Sequence, residues 1–95
     1  MDATLIRSVK RTLPDGYIYE IVIWLVPEPV RGSTHDYKYR LFFGRDGKRI
    51  VGYDNERGKG DHRHIEGREL SYLFFDIDQL EADFRADIEN WRSRQ

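Results

Sequence analysis

Twelve consecutive residues, "YDNERGKGDHRH" from Tyr53 to His64, hold two histidines, three cations and three carboxylates, with hardly an apolar side chain among them. In an extended segment, residues two apart point the same way. His62 and His64 would then share one face, with Arg63 on the other. Four readings are open for such a pair. Neutral imidazoles can ligate a metal, with Asp54, Glu56 or Asp61 supplying oxygen. Imidazoles titrate near working pH and can act as general base and general acid. Imidazolium groups can bind phosphate. The fourth reading is a solvated H-x-H loop with no chemical task.

The neighbours favour phosphate chemistry. Cleavage of RNA needs a base for the 2′-OH proton, an acid for the leaving 5′-oxygen, and cations around the phosphorane. His62 and His64 are the right types for proton transfer, and Arg57, Lys59 and Arg63 for phosphate binding. Asp54 or Glu56 would orient an imidazole, and Glu56 or Asp61 could equally be a base. Tyr53 and Asn55 complete the candidate substrate-binding set. This route requires no metal and no other cofactor. Gly58-Lys59-Gly60 lets the backbone bend tightly and lets an anion approach main-chain N–H groups. It is not a P-loop, because the spacing is wrong and no helix follows. Tyr37, Tyr39, Tyr53 and Tyr72 would stack bases if exposed, although strand tyrosines more often bury the ring and leave the hydroxyl wet. His35 has no partner in its own stretch of sequence.

These groups must be positioned by a small framework. The chain has 95 residues, 39% of them hydrophobic, which suits a single domain over residues 1–95 with one modest core. Cysteine is absent, so disulfides and cysteine-based zinc sites are excluded and a reducing cytoplasm is the expected location. No signal-type apolar region opens the chain. The longest apolar run, Ile21 to Pro27, is far short of the roughly 20 residues a membrane helix needs. Net charge is −1. Residues 1–53 carry 9 Lys/Arg against 6 Asp/Glu, residues 54–75 carry 4 against 5, and residues 76–95 carry 3 against 6. Any anion site is therefore a local arrangement and not a broad basic face, which argues against a plain DNA-binding domain.

The first two-thirds of the chain read as antiparallel strands. Leu5, Val9 and Leu13 share one parity, with Arg7 and Arg11 interleaved, and "PDG" at Pro14 to Gly16 is a turn. Tyr17 to Val26 is β-branched and aromatic on both parities, the pattern of a central strand covered on both faces. "PEP" at Pro27 to Pro29 ends it. Tyr37, Tyr39, Leu41 and Phe43 alternate with Asp36, Lys38, Arg40 and Phe42, and Asp46-Gly47 turns the chain into a returning strand over Lys48 to Tyr53. Glu69 to Phe75 reads as the last strand. Leu80, Phe84, Ile88 and Trp91 then recur at helical spacing, with Asp76 and Gln79 in the form of a variant capping box. Trp24 and Trp91 are expected in the core. The fold class is α+β: a four- to five-stranded antiparallel meander with one C-terminal amphipathic helix packed on it.

Taken together, "IWLVPEPV", "HDYKYRL", "VGYDNERGKGDHRH", "GRE" and "LEADFRADIENW" resemble the TumE family of toxin–antitoxin toxins over nearly the whole chain. The most specific part is Tyr53-Asp54-Asn55 followed by His62-x-His64. The resemblance implies a bacterial growth inhibitor encoded beside a cognate antitoxin, often one with a helix-turn-helix DNA-binding domain. For toxins of this size the usual target is RNA or translation. The expected function is thus a toxin acting on RNA as a metal-independent ribonuclease. A non-catalytic protein-interaction or regulatory module is the alternative from a different class, and a metal-dependent nuclease is the lesser alternative.

Overall fold

Alternation of apolar and polar residues along Tyr37–Arg45 builds the middle of a single sheet, because side chains two apart fall on the same face. The computed structural model describes residues 2–95. Six strands, β1 (Thr4–Thr12), β2 (Ile18–Leu25), β3 (Tyr37–Arg45), β4 (Lys48–Asp54), β5 (His62–Ile65) and β6 (Arg68–Ser71), precede one helix, α1 (Ile77–Arg92). Each strand pairs antiparallel with the next, in the order β1-β2-β3-β4-β5-β6. The meander and the terminal helix are as expected from the sequence, but the sheet has six strands where four to five were expected. The added strand is β5. Its sequence, His-Arg-His-Ile, has no apolar alternation to announce it.

The turn after β5 explains how it forms. Glu66 and Gly67 adopt φ of 49° and 84°, the paired positive φ of a two-residue hairpin turn. Asp46 and Gly47 do the same between β3 and β4, with φ of 54° and 76°. The last strand, expected over Glu69 to Phe75, is limited to Arg68–Ser71. Residues 72–76 leave the sheet and cross to the helix.

One face of the sheet is closed by α1. Ile21, Ile23, Tyr39, Leu41, Phe43, Val51 and Tyr53 pack against Leu80, Phe84, Ile88 and Trp91, the stripe that the spacing identified. Asp76 caps the helix by accepting from the Gln79 N–H at 2.7 Å. The reciprocal half of the capping box is missing, since the Gln79 amide donates to Asp83 instead.

A 16-residue helix is about 24 Å long. It can cover one face of a six-stranded sheet but not two. The expectation that β2 is covered on both faces is therefore corrected: its second parity, with Val22 and Trp24, is only partly buried and faces away from the helix. Trp24 is not a core residue, whereas Trp91 is, packed edge-on against Tyr17 and Phe43. No described helix is long and apolar enough to cross a membrane.

Candidate functional site

Strand register places the histidines. Paired Cα positions run Val22, Arg40, Asp54, His62 and Ser71 across β2 to β6. The next row runs Glu20, Phe42, Gly52, His64 and Glu69. Both rows lie on the face opposite the core. His62 and His64 are thus neighbours there, roughly 7 Å apart at Cα by strand rise, with Asp54 and Glu69 at alternate corners. Their side chains retain 18% and 16% exposure, enough for a reacting group to reach the rings.

The ring nitrogens are distinguishable. His62 Nδ1 lies 3.0 Å from the Gly60 carbonyl. A carbonyl only accepts, so Nδ1 carries the proton and Nε2 remains for other use. That Nε2 sits 3.6 Å from Glu69 Oε1, ready to form an ion pair when the ring is protonated. His64 Nε2 is 3.8 Å from Asp54 Oδ2, too far for a hydrogen bond. Burial pushes His64 below the usual histidine value, and the Arg49 guanidinium adds to the effect. We therefore read the His64–Asp54 contact as a neutral ring beside a carboxylate, not as an ion pair. Arg49 reaches this row because Gly52 has no side chain: a Cβ there would lie 2.5 Å from Arg49 Cδ.

Other residues named from the sequence are placed elsewhere. Arg63 projects to the helix side, where it approaches Tyr53 at 3.5 Å and Asp87 at 3.6 Å. The fold separates it from the two histidines. Tyr53 is sealed in the core, and its hydroxyl donates to Asp87. Burial, reinforced by that bond, holds its phenol well above the ordinary tyrosine value. Asn55 is 1% exposed and structural. It donates to the Tyr37 carbonyl and to Ser33 Oγ and accepts from the Tyr39 N–H. Neither Tyr53 nor Asn55 is available to a substrate. Glu56, Arg57 and Lys59 extend into solvent from the β4–β5 loop, with Glu56 and Lys59 loosely paired at 3.7 Å. Tyr39 and Tyr72 also face the helix side and bond Asp61 and Asp83.

The Gly58-Lys59-Gly60 stretch serves a turn with positive φ at both glycines and not an anion nest. Gly58 N–H donates to the Arg31 carbonyl and Lys59 N–H to the Glu56 carbonyl. The glycines lace two loops together instead. A Cβ on Gly32 would lie 2.7 Å from Gly60 N, so the backbones meet at a distance no side chain permits.

A cluster that the sequence did not point to lies beneath these loops. Asp61 accepts from Ser33 Oγ at 2.6 Å, from His35 Nε2 at 2.7 Å and from the Tyr39 hydroxyl at 2.6 Å. The Tyr37 N–H donates to His35 Nδ1 at 3.2 Å, which fixes the His35 proton on Nε2. The ring stacks on Phe74 with centroids 3.8 Å apart. Both His35 nitrogens are engaged, so this cluster braces the loops. Asp61 is 26 residues from His35, and no local spacing could have joined them.

Among the described residues, no three His, Asp or Glu side chains converge as a metal-holding group. A cavity of about 710 Å³ lies at the loop end of the sheet, with Arg31, Lys38 and Arg57 among its walls. A family model described as Toxin TumE matches residues 2–92. No curated protein and no solved structure gives a significant match.

Proposed function

The chain belongs to the TumE toxin family, and from that premise we propose that it arrests growth by cutting RNA on the helix-free face of its sheet, between His62 and His64. The observation that carries this reading is the pair of imidazoles in different environments. His64 is held neutral beside Arg49, and His62 has Nε2 free next to Glu69. In the proposed reaction His64 takes the 2′-OH proton and the 2′-oxygen attacks phosphorus. His62, protonated, gives its proton to the departing 5′-oxygen. The products are a 2′,3′-cyclic phosphate and a 5′-hydroxyl. Arg49, which reaches the His64 row past Gly52, balances charge on the phosphorane. The Gly60 carbonyl orients the His62 ring. Glu69 and Asp54 lie 3.6 and 3.8 Å from His62 and His64 without hydrogen-bonding them, so the expectation that Asp54 orients an imidazole is not carried over. Arg57 and Lys59 meet the RNA backbone outside the reacting phosphate.

The experiment is cleavage of single-stranded RNA by the purified protein, with and without chelator, followed by analysis of the new ends. Cyclic-phosphate ends formed in chelator support the reaction as written. Loss of cleavage on chelation replaces it with the metal-dependent version, and 3′-hydroxyl ends rule out the 2′-OH as nucleophile.

A pH dependence follows from His64. Its folded form binds a proton less readily than the free side chain. Unfolded protein thus takes up more protons as pH falls through about 6.5, and His64's contribution to stability is full above that value and declines below it. The base stays deprotonated through the same window, so the acid limb of the cleavage profile is expected below pH 6.5. An acid limb centred above that value removes His64 as the base.

The family also implies an antitoxin partner. Leu73 is 91% and Phe75 78% exposed on the crossover to the helix, beside a cavity of about 360 Å³ that includes Tyr37, Phe74, Asp76 and Asp78. We place the antitoxin on this surface, through a segment both apolar and basic. A Leu73→Ser, Phe75→Ser variant is expected to arrest growth undiminished while escaping neutralisation by co-expressed antitoxin. Full neutralisation of that variant puts the antitoxin elsewhere. The non-catalytic alternative shares this surface and differs in predicting no RNA turnover.

A further inference from the structure

We propose that Trp24 is the floor of a base-binding subsite for single-stranded RNA, on the same sheet face as His62 and His64. This subsite deepens the RNA reading and rests on it. Trp24 lies opposite Lys38 on β3 and opposite Leu5 on β1. Its ring contacts no other aromatic ring among the described residues, although Trp91 contacts two. A cavity of about 280 Å³ opens beside it, walled by Glu20, Val22, Lys38 and Arg40. The one carboxylate there, Glu20, is already paired with Arg40 at 2.7 Å. The pocket therefore offers an aromatic face with the Lys38 ammonium at its rim and a neutralised Glu20–Arg40 pair beside it, a combination that holds a base and its phosphate without reading sequence.

Continuity with the rest of the face supports the assignment. Arg40 neighbours Asp54 in the row that leads to His62. Lys38 lines both the Trp24 pocket and the larger basic groove with Arg31 and Arg57. From Trp24 to His62 is three strand spacings across and one step along, roughly 16 Å, a span that a few nucleotides bridge. One strand of RNA laid across the sheet would stack a base on Trp24, pass its phosphates by Arg40, and present a scissile phosphate at the histidines. Phe42, in the His64 row and under Arg40 at 5.2 Å, adds apolar surface on the same face.

The test uses a 2′-O-methyl oligonucleotide, which cannot be cleaved through its 2′-oxygen, so binding is read apart from catalysis. The chain has two tryptophans, and only Trp24 can be reached. Oligonucleotide is expected to quench the protein fluorescence. Trp24→Ala should weaken binding about ten-fold. Trp24→Phe, which keeps a ring and guards against a folding defect, should retain most of the affinity but lose the quench. An abasic oligonucleotide of the same length should bind wild type and Trp24→Ala alike, because it offers phosphates and no bases. Equal affinity of wild type and Trp24→Ala for the base-containing strand overturns the subsite while leaving the histidine reaction standing. A quench that persists in Trp24→Phe also overturns it. If wild type neither binds the oligonucleotide nor cleaves RNA, the RNA reading itself fails and the subsite falls with it.

Discussion

The His62→Ala, His64→Ala double variant is expected to be produced at the wild-type level and to leave growth unaffected. In vitro its RNA cleavage should drop by at least about 10²–10⁴-fold, the range that a positioned acid or base contributes. Both side chains lie outside the core cluster but are largely covered, so the thermal midpoint should fall by several degrees while the protein stays folded at assay temperature. Single variants should lose nearly as much as the double, because the two rings act as one unit. Arg63→Ala is the informative control. It stands between the two histidines in sequence but on the other side of the sheet, against Tyr53 and Asp87. Its removal is expected to lower stability and spare turnover in the protein that remains folded. Arrest and cleavage that survive in the double variant discard the histidine assignment. Equal loss of turnover in folded Arg63→Ala moves the site to the helix side.

Asp61→Ala is expected to cost about 3 kcal/mol, since it strands three donors in a partly buried site. For a domain of this size that corresponds to a fall of roughly 12 °C or more in Tm. The carboxylate is 9% exposed and satisfies Ser33, His35 and Tyr39 together. Asp61→Asn keeps one carbonyl acceptor and should lose less. The consequence reaches the candidate site, because Asp61 immediately precedes β5 and the neighbouring Gly60 carbonyl holds His62 Nδ1. Growth arrest should therefore weaken in Asp61→Asn although both histidines are present. A Tm within a few degrees of wild type for Asp61→Ala shows that the network does not brace the loops.

Local pattern was sufficient wherever burial is periodic. The 4-4-3 spacing of Leu80, Phe84, Ile88 and Trp91 located the helix and its buried stripe. Period-two alternation located β3, and Asp-Gly located its turn. H-x-H fixed the shared face of His62 and His64, since strand geometry alone sends residues two apart the same way. Tertiary structure decided the rest. β5 is held by its neighbours' backbone hydrogen bonds and not by apolar side chains, so composition could not reveal it. The apolar residues on both parities of β2 suggested two covered faces, but a single helix covers one, which leaves Trp24 open and turns it from a core residue into a candidate base platform. Asp61, Ser33, His35 and Tyr39 meet only when two loops converge, and Arg63 parts from the histidines only when β5 joins the sheet. Sequence by itself determined which side chains alternate and where the chain turns, because those are nearest-neighbour effects. Which charges meet, and which face stays uncovered, depended on long-range pairing that no local spacing encodes.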